Sequence, residues 1–152
     1  LWSYPWACSP CAWARMLPSR VGTDACSLAR RWVLDPHLSE MVVSLDSWAY
    51  EQFAGYGLGW PGIQVISGYR SEVRQAQINP DAPDSLHTRC PSLAADLRVG
   101  GVPSLPGGAV WEWLGARWKM MGGRWGGDFS PGKDITGVNR AEQNHFDLGI
   151  GV

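Results

Sequence analysis

Histidines and cysteines are scarce in this 152-residue chain, three of one and four of the other, so each can be weighed for chemistry. His37 directly follows Pro36 and has no acidic or histidine partner in a motif, so it reads as a structural residue. His87 lies in Ser85-Leu86-His87, with Asp96 nine positions on, and His145 lies within Glu142-Gln143-Asn144-His145-Phe146-Asp147-Leu148. Two imidazoles and one carboxylate, carried on separate strands and loops, are a ligand set for zinc that leaves a fourth position open. A carboxylate three positions before the last histidine, Glu142, is near enough to take a proton from water held at such a site. Scattered histidines and aspartates are also ordinary polar residues, and spacing alone leaves both readings open.

The cysteines point elsewhere. Cys8 and Cys11 form a Cys-Ser-Pro-Cys pair, the spacing of zinc knuckles and of redox dithiols. A structural zinc site needs two more ligands, and only Cys26 lies nearby. A thioredoxin-like site needs a strand before the pair, and Trp-Ser-Tyr-Pro-Trp is a poor strand. Plain thiols or a local disulfide, remote from the histidines, are therefore expected. Cys90 falls between His87 and Asp96, where it either packs or intrudes as a ligand.

The elements that must carry these residues can be read from periodicity. Asp24 to Val33 reads as a short helix capped by Asp24. From Pro36 to Ala54, Leu38, Met41, Val42, Leu45, Trp48, Ala49 and Phe53 recur at helical spacing, and Gly55-Tyr56-Gly57-Leu58-Gly59 ends the run. Ile63 to Ser67 is a β-branched strand between Pro61-Gly62 and Gly68. Gln75 to Leu86 is polar, contains Pro80 and Pro83, and reads as a loop. Ser92 to Val99 reads as a second strand, and Gly108 to Met121 as a second long helix. Short strands are expected near Gly123 to Trp125 and His145 to Leu148. This order predicts an α+β domain with a small, mostly antiparallel sheet flanked by helices.

Composition excludes some partners. Lys plus Arg number 13 and Asp plus Glu 14, a formal charge of −1 with a pI near 6.3. That balance offers no electrostatic footprint for a phosphate backbone, which argues against nucleic acid. No apolar run approaches the ~20 residues of a membrane span. Ten tryptophans beside 19 glycines and 11 prolines suit a compact core and its rim, or a surface for sugars or peptides. Leu1 to Pro10 lacks the basic flank and apolar centre of a signal peptide.

Four motifs occur in a telling order: Ser67-Gly68-Tyr69-Arg70-Ser71, then Ser85-Leu86-His87 leading to Ala94-Ala95-Asp96-Leu97, then Trp125-Gly126-Gly127, then Glu142 to Leu148. Together they resemble the zinc peptidases that cut peptidoglycan stem peptides. These comprise D-alanyl-D-alanine carboxypeptidases, D-Ala-D-Ala dipeptidases and phage L-alanyl-D-glutamate endolysins, which share a fold with the hedgehog signalling domain. The resemblance implies zinc as cofactor, bound by His87, Asp96 and His145, with Glu142 as general base and acid. It gives Arg70 the task of holding the scissile carbonyl oxygen or a substrate carboxylate, and Ser85 a hydrogen bond that orients the His87 loop. It also implies a peptidoglycan peptide as substrate, for a phage-encoded lysin in the periplasm or at the cell wall, or a virion component among other phage proteins. Residues 34–152 would form the peptidase domain, with 1–33 as a Trp- and Cys-rich extension of it.

There are departures. The stretch from His87 to Asp96 is two residues longer than the family's usual seven, with Thr88-Arg89-Cys90-Pro91 inside it, and Ser92 stands where the family has glycine. Glu142 replaces the aspartate of many phage members, and either carboxylate serves as a base. A catalytically silent structural or wall-binding domain is the alternative, although such a domain has no need to keep Arg70, Glu142 and the ligand set together. A redox or zinc-knuckle protein built on Cys8 and Cys11 leaves the later motifs unexplained.

Overall fold

The computed structural model describes residues 34–104, 108–130 and 132–149. The expected helix at Asp24 to Val33, the extension to residue 33, and Cys8, Cys11 and Cys26 lie outside them. In chain order the elements are α1 (Pro36–Gly55), β1 (Ile63–Ser67), α2 (Glu72–Ile78), β2 (Ala94–Val99), α3 (Ala109–Met120), β3 (Arg124–Trp125) and β4 (His145–Asp147). Single 3-10 turns occupy Leu86–Thr88 and Gly126–Asp128. No helix among the described residues is long and apolar enough to cross a membrane.

Local chemistry explains the long helix. The Asp35 carboxylate caps α1, accepting from the backbone N–H of His37 at 2.9 Å and of Leu38 at 3.4 Å. Pro36 occupies the first turn, where a missing N–H costs nothing. Leu38, Met41, Val42, Leu45 and Ala49 form its buried stripe. Beyond Gly55 the chain turns through Gly57 at φ +70°, a left-handed conformation that glycine adopts without strain.

The strands make one antiparallel sheet in the order β1-β2-β4-β3, so the α+β architecture is as expected. Strand alternation sorts its side chains to two faces. Ile63, Val65, Ala95, Leu97, Val99, Trp125 and Phe146 pack with α1 and α3 into one core, in which Trp111, Leu114 and Trp118 are fully buried. The other face carries polar residues in cross-strand pairs, Asp96 with His145 and Asp147 with Arg124. A register shift between Val65 and Ser67 sets Ser67 rather than Ile66 opposite Asp96, the re-aiming that a β-bulge provides.

Two expectations need correction. The stretch from Gln75 begins inside a helix, because α2 starts at Glu72 with the Ser71 hydroxyl capping the N–H of Arg74 at 3.1 Å. Seven residues show too little of the 3.6-residue period for the pattern to be read. The second strand starts at Ala94 rather than Ser92. The Ser92 hydroxyl turns back to its own strand, donating to the Ala94 carbonyl at 2.7 Å.

Candidate metal centre

His87 sits on the 3-10 turn Leu86–Thr88, fixed at both ends. The Ser85 hydroxyl accepts from the His87 backbone N–H at 3.4 Å, and the Thr88 hydroxyl donates to the Ser85 carbonyl at 2.7 Å. The Arg70 N–H donates to the His87 carbonyl at 2.8 Å, clasping this turn to the segment after β1. His87 is 1% exposed, and its Nδ1 lies 2.5 Å from the Gly68 carbonyl. A carbonyl only accepts, so Nδ1 carries the proton and Nε2 is left with its lone pair.

That lone pair meets two other donors. His87 Nε2 is 3.2 Å from Asp96 Oδ1 and 3.2 Å from His145 Nδ1, and His145 Nδ1 is 3.1 Å from the same Asp96 oxygen. Asp96 faces away from the core because its neighbours Ala95 and Leu97 face into it. Antiparallel pairing then sets His145 directly across from it. The three ligand atoms thus form a nearly equilateral triangle. In a tetrahedral zinc site with bonds of ~2.0–2.2 Å, ligand atoms stand roughly 3.4 Å apart, so this triangle needs to open by only a few tenths of an ångström. The donor set fits a zinc-type cation. Among the described residues it is the one group of three or more histidines, cysteines or carboxylates arranged to hold an ion.

The electrostatics fit as well. Burial alone would raise the Asp96 carboxyl, but the hydrogen bond and charge of His145, with the His87 imidazole beside it, hold it far below the usual carboxylate range. Burial would likewise depress His145, yet its hydrogen bonds to Asp147 and Asp96 outweigh this and push it up to about 9. A divalent cation held by these three groups would compete with the proton that His145 shares with its carboxylate neighbours.

Arg70 reaches the same place. Its Nε donates to the Ser67 hydroxyl at 3.2 Å, its Nη1 to Gln75 Oε1 at 3.2 Å, and its Nη2 to Asp96 Oδ2. The Asp96 carboxylate therefore shows one oxygen to the histidines and the other to the guanidinium. Glu142 lies on the turn that leads into β4, where the His145 N–H donates to the Glu142 carbonyl at 2.9 Å. This turn is bedded on the Trp125-Gly126-Gly127 motif. Trp125 Nε1 donates to the Gln143 carbonyl at 2.6 Å, and a Cβ on Gly126 would come within 2.2 Å of the Glu142 carbonyl oxygen. Arg70, Ser85, His87, Asp96, Glu142 and His145 all line one cleft of about 770 Å³.

The remaining candidates fall away from this chemistry. His37 is exposed on the first turn of α1. Cys90 is disulfide-bonded and so is not available as a ligand. In the sequence Ser67, Gly68 and Asp147 stood within the motifs with no role of their own, and nothing marked Gln75 or Arg124. The signal for Asp147 was present, since His145-Phe146-Asp147 on a strand puts the first and third side chains on one face.

No family profile and no curated protein matches the chain. Among solved structures there is a likeness to a variant of the vancomycin-resistance D,D-pentapeptidase VanY from a VanB-type resistance cassette, in complex with Zn(II). The two are 22% identical, the match covers 77% of this chain and 74% of that one, and the TM-score is 0.43.

Proposed function

We propose that this chain hydrolyses peptide bonds in bacterial peptidoglycan stem peptides, using zinc held by His87 Nε2, an Asp96 carboxylate oxygen and His145 Nδ1. The observation that carries the reading is the convergence of those three atoms, 3.1 to 3.2 Å apart, in a cleft that Glu142 and Arg70 also line. When bound, zinc polarises a carbonyl and acidifies water. The chain's own residues do the rest. Glu142 takes the proton of the attacking water and hands it to the departing amine, so that nitrogen leaves neutral. The Arg70 guanidinium balances the negative charge that grows on the carbonyl oxygen. Gln75 and Ser67 hold the guanidinium from behind, and Ser85 keeps the His87 turn in place.

The substrate class rests on the ordered motifs from Ser67 to Leu148. In this reading the enzyme is a phage lysin working in the periplasm or at the cell wall, or a component of the virion, and its bond is that of a carboxypeptidase or an endopeptidase. The test is digestion of purified muropeptides by zinc-loaded protein, with product ends identified by mass spectrometry. New amino and carboxyl ends at one stem-peptide bond are expected, and their loss on chelation. Zinc bound with no cleavage of any wall type would leave the silent wall-binding domain instead.

A further inference from the structure

Asp147 is a carboxylate with no place in the ligand set, yet it is the most thoroughly held side chain near it. It is 0% exposed. Its Oδ2 lies 2.9 Å from His145 Nε2 and accepts from Arg124 Nη2 at 2.8 Å. Its Oδ1 accepts from Arg124 Nε at 2.9 Å and from the Gly149 N–H at 2.7 Å. Even its backbone is tied down, because Trp118 Nε1 on α3 donates to the Asp147 carbonyl at 3.0 Å. The bidentate guanidinium and the backbone N–H leave the carboxylate one orientation and one role toward His145, that of acceptor. Cross-strand register brings this about, since Arg124 on β3 stands directly opposite Asp147 on β4. Arg124 also covers the ring of Phe129 at 4.7 Å, and Phe129 packs against the His145 imidazole with ring centroids 5.4 Å apart.

We propose that Asp147, clamped by Arg124, is the positioning residue that fixes the tautomer and the plane of His145. A neutral imidazole has one N–H and one lone pair. With Nε2–H given to Asp147, the lone pair must sit on Nδ1, the atom that faces Asp96 and His87. His87 solves the same problem with the opposite nitrogen and a backbone carbonyl. The pair therefore holds the plane of a flexible side chain before any ion arrives and leaves Nδ1 as the nitrogen that gives up its proton to the ion, and it acts through His145 without touching substrate. This inference rests on the metal reading given above.

The test uses the full chain and zinc alone as probe, with a competing chelator dye reporting affinity. Asp147→Asn puts an amide between His145 and Arg124 and should weaken zinc binding about 10–100-fold. Arg124→Gln keeps Asp147 but removes its clamp, and should shift affinity in the same direction by less. The Arg124 side chain is half exposed, so this variant decides the matter if Asp147→Asn does not fold. Imidazole proton–nitrogen correlation spectra of the zinc-loaded protein give a second readout, in which the wild type shows His145 protonated at Nε2 and metal-bound at Nδ1. A role in stability alone would lower the melting temperature and leave affinity and the His145 signature untouched, which would overturn the proposal. An effect of Asp147→Asn without one of Arg124→Gln would remove Arg124 from it. Wild-type protein that binds no zinc would sink both this inference and the metal reading, whereas binding that ignores both variants would sink this inference alone.

Discussion

Gly126 offers a sharp way to disturb the centre without removing any of its chemical groups. A Cβ built there lies 2.2 Å from the Glu142 carbonyl oxygen and 2.8 Å from His145 Cβ, and real Cβ atoms essentially never come closer than 3.0 Å. In Gly126→Ala the turn from Glu142 to His145 must therefore retreat by about 0.8 Å, from 2.2 to at least 3.0 Å. That turn carries both Glu142 and His145, the base and one ligand of the proposed mechanism, and a misplacement on the order of 1 Å costs about 10²-fold in rate, or ~2.7 kcal/mol of barrier. Overpacking should cost about 1–3 kcal/mol of stability in addition. The assay is the rate of product release from purified muropeptides, beside chemical denaturation and a zinc titration. Gly55→Ala is the control, because nothing lies within 4 Å of a Cβ there. Gly126→Ala protein that folds, binds zinc and turns over like the wild type would refute the idea that this motif seats the catalytic turn.

Three further outcomes follow from the same geometry. Glu142→Gln keeps the shape of the base but not its proton affinity, so zinc content and melting temperature should hold while turnover falls about 10²–10⁴-fold; loss of zinc instead would make Glu142 a ligand. Arg70→Lys cannot serve Ser67, Gln75 and Asp96 at once, and kcat should fall about 10²–10³-fold with the fold intact, as for loss of an oxyanion donor; unchanged kcat would remove Arg70 from the reaction. In chelator-treated protein His145 is pushed up to about 9 from an ordinary 6.5, so its contribution to stability is full below pH 6.5 and is lost as pH rises through 9. Melting temperature measured across that window should fall, and in His145→Gln this part of the fall should vanish.

Much of this was legible in the sequence where the signal is local or periodic. Leu38 to Ala49 announced α1, the β-branched run at Ile63 announced β1, and the polar motifs around His87, Asp96 and His145 marked the residues that meet. What escaped was either too short or too distant along the chain. α2 is two turns long and is anchored by a single serine cap. The bulge that turns Ser67 toward Asp96 and the pairing of Arg124 with Asp147 are matters of register, which depend on strands far apart in sequence. Trp125-Gly126-Gly127 was visible as a motif, but its work is steric: the glycines leave room for the Trp125 ring and the Glu142 carbonyl. The lengthened stretch after His87 is absorbed before β2, where the Leu93 N–H returns to the Leu86 carbonyl at 3.2 Å.

The central claim is that His87, Asp96 and His145 hold one zinc ion together. Anomalous diffraction at the zinc edge, from crystals of the protein grown with one equivalent of zinc, tests it most directly. The account predicts a single strong peak within about 2.0–2.2 Å of His87 Nε2, an Asp96 carboxylate oxygen and His145 Nδ1. A peak held by other residues, or none at this cluster, would contradict it.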